Sequence, residues 1–342
     1  MLQKILRGTG WLLALLALLA GAAFLWYRSF DLDRAPRPDP KAVPADLAFL
    51  RDGVKERRGR ILAVVSSAEH LPNGKKAGYE LTELARAYYI FQANGYEVDI
   101  ASPAGGHPPA RIDQDDMGTA DYAFLNDPQA QARLRNSHKL AGIDPTGYAA
   151  VFFAGGKGTL VDFAGNRDIE RILAAIAPRG VVGAVCHGPA ALLGMPLAGR
   201  RVAAFTTEEE LFLIEDAHKS LPFMLEERLR LAGAQVSTGP MYLQHVVRDG
   251  RLVTGQNPWS TWAVAEGMIA ALGHRPVARA PTPEELSVQV LGAYARAGLD
   301  AARKEQAARP GFDKMLILMH AVVAAMQWRP VDAFQLQRLA RG

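Results

Sequence analysis

Apolar runs and amphipathic segments alternate along the middle of the chain. Short apolar, β-branched runs predict buried strands, and the segments between them carry apolar residues at helical spacing, which predicts helices. Continuously apolar strands separated by such helices are typical of a parallel sheet covered on both faces. The pattern therefore predicts an α/β domain over 59–273, with a flavodoxin-like, doubly wound and mostly parallel sheet. Strands are predicted at 60–67, 96–102, 148–156, 180–185 and 201–205, helices at 81–94, 127–139, 166–177, 221–232 and 258–272, and a hairpin at 245–256.

The N-terminal segment follows a different pattern. Residues 8–27 contain no charged side chain, and a helix of that length rises about 30 Å, the thickness of the hydrocarbon core of a bilayer. Trp11 at one end and Trp26 at the other suit interfacial anchoring. The segment 1–30 is therefore predicted to be an uncleaved membrane anchor, with a cleaved signal peptide as the alternative. Basic residues before the segment favour a periplasmic or extracytoplasmic location for the domain that follows, although basic residues after it weaken that asymmetry.

Two other segments flank the predicted domain. Prolines at 36, 38, 40 and 44 indicate that 31–58 is a stiff, extended linker. Residues 274–342 are predicted to form a mostly helical extension. Its apolar stretch at 315–326 is too short to span a bilayer and suits core packing.

Composition and charge narrow the function classes. Hydrophobic residues make up 49% and charged residues 22% of the chain, an ordinary globular balance. The net charge of +4 is small and includes no long basic block, which disfavours nucleic acid as a partner. The single cysteine excludes an intrachain disulfide and a zinc site built from several cysteines. No dinucleotide-binding fingerprint occurs, and neither a metal nor a cofactor is expected.

The single cysteine lies where a predicted strand meets a predicted helix. Ala184 lies two residues before Cys186 and Gly188 two residues after it, and a sharp strand-to-helix turn needs such small flanking residues. The turn would expose the sulfur above the sheet at a helix N-terminus, where the dipole favours the thiolate. We therefore expect Cys186 to be an ionised nucleophile rather than an inert buried cysteine, with the backbone N–H of His187 as an oxyanion donor.

Three more segments carry candidate chemistry. Gly155 and Gly156 follow a strand and could bring a second backbone donor close to a ligand. Glu83 lies at the start of the first helix of the domain, where an acid usually compensates the helix dipole. The acids at 208–210 follow another strand, and one of them could orient His187 as in a catalytic triad.

Together these segments resemble the ThiJ/PfpI superfamily, the type-one glutamine amidotransferase-like proteins, over about 60–272. The stretches that carry the resemblance include FFAGGKGTLVDF, AVCHGPAALL and VAAFTTEEE, and they are most similar to the heat-shock chaperone and glyoxalase III branch. Family members often have histidine after the glycine pair, where this chain has Lys157, so substrate contacts there are expected to differ. The resemblance implies catalytic roles for Cys186, His187, Glu83 and Glu210, with Glu209 as the neighbouring alternative to Glu210, and oxyanion or substrate contacts from Gly155, Gly156 and His187.

The resemblance also implies an activity. It is the conversion of methylglyoxal to D-lactate without glutathione, metal or cofactor, through a cysteine nucleophile that acts on a small reactive carbonyl compound. A homodimer is the partner that the resemblance suggests. The alternatives are a cysteine amidohydrolase or peptidase, a membrane-tethered holdase chaperone or deglycase, and a redox sensor built on Cys186. The glutaminase form is disfavoured, because no His-x-Glu sequence occurs in the chain.

Overall fold

The computed structural model describes residues 2–34 and 37–341, and the chain forms two units. Residues 38–280 make the larger unit, and residues 1–37 with 281–342 make the smaller one. The strands in chain order are β1 (Gly59–Val64), β2 (Tyr79–Glu80), β3 (Tyr96–Ser102), β4 (Ala110–Arg111), β5 (His138–Lys139), β6 (Ala150–Phe153), β7 (Val181–Val185), β8 (Arg201–Val202), β9 (Gln235–Val236), β10 (Val246–Asp249) and β11 (Leu252–Gly255).

Helices surround the strands in the larger unit and build the smaller one. Those of the larger unit begin with a short helix before β1 and end with a helix that follows β11. The α-helices in chain order are α1 (Leu2–Arg28), α2 (Ala48–Arg51), α3 (Leu81–Ala93), α4 (Thr119–Asn126), α5 (Pro128–Arg135), α6 (Thr159–Asp162), α7 (Arg167–Ile176), α8 (Thr207–Leu213), α9 (Ala217–Ser220), α10 (Leu225–Leu231), α11 (Thr261–Ala271), α12 (Pro283–Ala308), α13 (Lys314–Met326) and α14 (Pro330–Ala340).

The predicted α/β architecture is confirmed. The main sheet has seven strands in the order β10-β11-β7-β6-β1-β3-β5, and every neighbouring pair is parallel except β10 with β11. All four residues of β6 and all five of β7 are buried, because helices cover both faces of the sheet. The predicted strand at 201–205 lies outside this sheet: β8 pairs with β9 in a separate two-stranded sheet.

The register of the central strands determines where loop residues meet. Val64 of β1 pairs with Phe153 of β6, and Phe153 pairs with Ala184 of β7. The carboxyl ends of these three parallel strands therefore lie at one edge of the sheet, which is where open α/β sheets bind ligands. The segments that begin at residues 65, 154 and 186 all start there.

Residues 38–58, the greater part of the linker predicted at 31–58, belong to the larger unit. The side chain of Asn126 donates to the carbonyl of Pro40 at 2.8 Å and to that of Ala42 at 2.9 Å. Ala42 and Leu47 are buried. This part of the proline-rich segment is thus packed within the larger unit.

The predicted membrane anchor is wrong. Within residues 2–34 and 37–341, no helix combines the length with the apolar character that crossing a membrane requires. The indole of Trp26, predicted as an interfacial anchor, has protein partners in the smaller unit. It stacks on Phe334 with ring centroids 6.3 Å apart, donates to Gln337 at 3.2 Å and lies 3.4 Å from the guanidinium of Arg341. The predicted membrane-anchored location is therefore wrong as well, and the prediction of the membrane as a partner is not supported.

Candidate active site

A strained turn places the cysteine at the sheet edge. Cys186 follows β7 directly with a φ of 59°, a left-handed conformation that is costly for a residue with a side chain. Backbone bonds hold it there: its N–H donates to Gly255 at 3.0 Å, and its carbonyl accepts from Phe205 at 2.9 Å. A Cβ at Gly188 would lie 2.2 Å from the carbonyl oxygen of Phe153, so only glycine fits where the chain leaves the turn. The predicted small flanking residue has this steric reason.

A chain of hydrogen bonds connects the thiol to a carboxylate. Sγ of Cys186 lies 3.2 Å from Nδ1 of His187, and Nε2 of His187 bonds Oε1 of Glu210. The imidazole also stacks on Phe205, with ring centroids 4.6 Å apart and planes 25° apart. All four side chains are buried. Phe205 was not singled out in the sequence, although it directly precedes the segment that supplies the carboxylate.

The charge of Glu210 determines the tautomer of the imidazole. Burial opposes ionisation of Glu210, but His187 and Lys157 outweigh it and hold the pKa of the carboxyl below its usual range. An ionised carboxylate only accepts hydrogen bonds, so Nε2 of His187 carries the proton in that bond. Nδ1 is then left as an acceptor facing the thiol of Cys186. The arrangement can remove the thiol proton in the manner of a catalytic triad.

Glu209, the neighbouring alternative, is engaged elsewhere. Its Oε1 accepts hydrogen bonds from the backbone of Tyr242 at 2.8 Å and from the side chains of Gln256 at 3.1 Å and Asn257 at 2.9 Å. Its Oε2 accepts from the N–H and the hydroxyl of Thr206, which completes the capping box of α8. Of the two acids, therefore, Glu210 contacts the histidine and Glu209 anchors the helix.

Glu83 extends from the first turn of α3 into the site. Its Oε2 accepts the N–H of Gly155, and its Oε1 is buried without a hydrogen-bond partner among the residues that the structure describes. Burial, and then the nearby charge of Glu80, raise the pKa of Glu83 well above its usual value. The surroundings thus favour the protonated carboxyl, which in that form can donate a hydrogen bond beside the cysteine.

The expected resting thiolate is not supported by its surroundings. Burial raises the pKa of the Cys186 thiol well above its usual value, and negative charge on Glu83 or Glu80 acts in the same direction whenever either carboxyl is ionised. The helix after the turn is a 3₁₀ helix of only seven residues, Gly188–Gly194. These surroundings favour the thiol form of Cys186, and Nδ1 of His187 is the acceptor within hydrogen-bond distance of it.

The backbone of the glycine pair packs closely against neighbouring backbone segments of the site. A Cβ at Gly155 would lie 2.7 Å from the backbone nitrogen of His187. Gly156 has a φ of 100°, and a Cβ there would lie 2.5 Å from the carbonyl of Gly78. Because the Gly155 N–H donates to Glu83, it is not free to serve as the predicted oxyanion donor. The N–H groups of Gly156 and His187 have no protein acceptor within the described ranges, so these two remain available.

Two charged groups stand beside the predicted residues. Nζ of Lys157 lies 3.7 Å from Oε2 of Glu210, so the residue that departs from the family pattern contacts the acid of the hydrogen-bonded chain. Glu80 precedes α3, and burial raises its pKa to about 7. Across residues 2–34 and 37–341 no group of three or more His, Cys, Asp or Glu side chains could hold a metal ion.

Comparison with known proteins gives consistent matches. The sequence pattern described as the DJ-1/PfpI family matches residues 75–271. Glyoxalase 3 of Candida albicans is 31% identical over 229 residues, which cover 62% of this chain and 97% of that protein. The glutathione-independent glyoxalase HSP31 of Saccharomyces cerevisiae is 31% identical over 218 residues, 58% of this chain and 91% of that protein. The crystal structure of glyoxalase III from Candida albicans superposes with a TM-score of 0.56 at 28% identity, covering 62% of this chain and 97% of that one.

Proposed function

The chain belongs to the DJ-1/PfpI family, and we propose that it is a glutathione-independent glyoxalase that converts methylglyoxal to D-lactate through Cys186. The observation that carries the proposal is the hydrogen-bonded series from Cys186 through His187 to Glu210, beside the protonated carboxyl of Glu83. The names of the relatives at 31% identity support the same reaction. The catalytic domain is taken as 59–273, which includes the residues 75–271 that match the family.

The first step is addition of the thiol to the aldehyde. Nδ1 of His187 accepts the proton of Cys186 as the sulfur forms a bond to the aldehyde carbon. The carbonyl π electrons move to the oxygen, which the N–H groups of His187 and Gly156 are available to stabilise. Return of the proton from the imidazolium to this oxygen gives a hemithioacetal and leaves His187 neutral.

The second step moves hydrogen between the two carbons of the substrate. His187 removes the proton from the carbon bonded to sulfur, while Glu83 donates its proton to the neighbouring ketone oxygen, which gives an enediol. Return of a proton to the former ketone carbon, with loss of the proton from the hydroxyl beside sulfur, gives a thioester of lactate. One carbon is oxidised and its neighbour reduced, so the step needs no external electron carrier.

The last step releases the product. Water adds to the thioester carbonyl, with His187 accepting a proton from it and the same backbone donors facing the oxyanion. The carbon–sulfur bond breaks, the thiolate recovers a proton, and lactate leaves. Overall, one methylglyoxal and one water become one lactate, and the enzyme returns to its starting state.

The test is lactate formation without glutathione. The purified chain is incubated with methylglyoxal, and D-lactate is measured with a stereospecific assay for the wild type, Cys186→Ala and Glu208→Gln. We expect D-lactate from the wild type and from Glu208→Gln, which changes an exposed acid of α8, and only background from Cys186→Ala. Wild-type turnover by Cys186→Ala would reject the proposal. A wild type that forms no lactate but cleaves amide or peptide substrates would instead indicate the cysteine hydrolase.

A further inference from the structure

The loop after β6 carries one side chain, and its backbone is fixed. In Gly155-Gly156-Lys157-Gly158 only Lys157 has a side chain. The N–H of Gly158 donates to Gly78 at 3.0 Å, and a Cβ at Gly158 would lie 2.4 Å from Oγ of Ser66. The tight packing of the glycines on both sides of Lys157 fixes the position of its Cα. The contact of its side chain with Glu210 therefore follows from the conformation of the loop.

The other end of that contact is a buried carboxylate oxygen. Oε1 of Glu210 bonds His187, while Oε2 is buried and has no hydrogen-bond partner among the described residues. Nζ of Lys157 lies 3.7 Å from Oε2, and 26% of the lysine side chain is exposed. A buried carboxylate oxygen without a donor is costly, and a cation beside it offsets that cost.

We propose that Lys157 is a positioning residue, which holds the Glu210 carboxylate in place on His187. By its positive charge, Lys157 also lowers the pH below which the Cys186–His187–Glu210 series takes up a proton and no longer activates the thiol. The assignment rests on the site proposed above, but not on its substrate. It also gives a role to the residue that stands where relatives often have histidine.

The titratable groups around Glu210 come from several elements of the fold. The groups that face Glu210 are His187 from the turn, Lys157 from the loop after β6, and Tyr242 from the segment before β10. On α8 itself, Glu209 has its oxygens bonded to five donor groups, and Glu208 is exposed.

On the cysteine side of the series, the facing carboxyls are those of Glu83 and Glu80. The side chains that act to lower the pKa of Glu210 are His187 and Lys157. Loss of the lysine charge therefore makes Glu210 easier to protonate, and Glu210 is the group that orients His187.

The experiment measures the reactivity of the only cysteine in the chain. Alkylation of Cys186 by iodoacetamide is followed from pH 3.5 to pH 9 for the wild type, Lys157→Met, Lys157→Arg and the exposed control Lys219→Met. We expect Lys157→Met to move the acid limb of the rate profile upward by about half to one pH unit, so that alkylation at pH values below the limb slows about 3- to 10-fold. Lys157→Arg and Lys219→Met keep the wild-type limb.

An unmoved acid limb in Lys157→Met would overturn the proposal, as would an equal shift in Lys157→Arg or Lys219→Met. If Lys157→Met does not fold, judged by circular dichroism, Lys157→Gln replaces it in the comparison with Lys157→Arg. Alkylation does not require turnover of methylglyoxal. A chain that shows the expected shift but forms no lactate would reject the proposed function and leave the role of Lys157 standing.

Discussion

Replacing Glu83 by glutamine is expected to stabilise the protein while removing its activity. The carboxyl is completely buried, and its pKa is raised well above the ordinary value of 4.5, first by burial and then by Glu80. Because the folded-state pKa of Glu83 is raised, the carboxyl does not lower the free energy of unfolding at pH values below 4.5. The free energy of unfolding falls as the pH rises from 4.5 toward the folded-state pKa. In the unfolded chain the group ionises near pH 4.5, whereas in the folded chain it must keep its proton.

The size of the effect follows from that difference. Between pH 4.5 and pH 7 each unit costs about 1.4 kcal/mol, so the folded protein loses at most about 3.4 kcal/mol at pH 7 by keeping Glu83 neutral. Glutamine is neutral at both values, has nearly the same shape, and retains an acceptor for the Gly155 N–H. We therefore expect Glu83→Gln to match the wild type near pH 4.5 and to exceed its free energy of unfolding by about 1 to 3 kcal/mol at pH 7.

Urea denaturation at both pH values measures this difference. Glu208→Gln, a change at an exposed acid in the same unit, should show no such pH-dependent gain. Methylglyoxal turnover by Glu83→Gln should fall by about 100-fold or more, because the amide cannot transfer a proton to the substrate. A variant that is less stable than the wild type at pH 7, or that gains equally at pH 4.5, would refute the assignment of a buried, protonated Glu83.

Three other substitutions separate structural from chemical roles. Glu210→Ala should lower kcat/KM about 100- to 10,000-fold with little change in KM, because His187 loses the partner that orients it. Glu209→Ala should mainly lower the melting temperature, because buried donors lose their acceptor. Steady-state kinetics and thermal unfolding of both variants check the contrast, and equal losses of kcat/KM in the two variants would contradict it. Gly188→Ala should prevent folding or destabilise the chain by more than about 3 kcal/mol, because its Cβ would lie 2.2 Å from the carbonyl oxygen of Phe153; a soluble, fully active Gly188→Ala protein would show that the turn relaxes easily.

Much of the site could be predicted from the sequence because its strongest signals are local. The turn at Cys186 needs small residues at fixed offsets, and Gly188 meets that need for a steric reason now visible at Phe153. Apolar periodicity located the central strands, and parallel strands bring their carboxyl ends together whatever the rest of the chain does. Position in the sequence was therefore enough to place Cys186 and the glycine pair at one edge of the sheet.

The remaining features depend on contacts that are distant in the sequence. Adjacent helical residues point about 100° apart, so whether Glu209 or Glu210 reaches His187 depends on where α8 lies, and the donors from Tyr242 and Asn257 that engage Glu209 come from later segments.

The protonation state of the thiol is a further example. The local argument from a helix N-terminus predicted an ionised sulfur, but burial and two carboxyls supplied by the fold raise the pKa of Cys186. The strand at 201–205 was also identified without its partner, because periodicity carries no information on whether β8 pairs with β9 or with the main sheet.

The most direct test of the account is whether methylglyoxal becomes covalently attached to the sulfur of Cys186 during turnover. The reaction is stopped with acid within the first turnover, and the peptide that contains Cys186 is analysed by mass spectrometry. The account predicts a transient mass gain of one methylglyoxal on that residue, the same for the hemithioacetal and the lactate thioester, which decays as lactate appears and is absent from Cys186→Ala. Steady lactate formation by the wild type with Cys186 unmodified at every time point would contradict it.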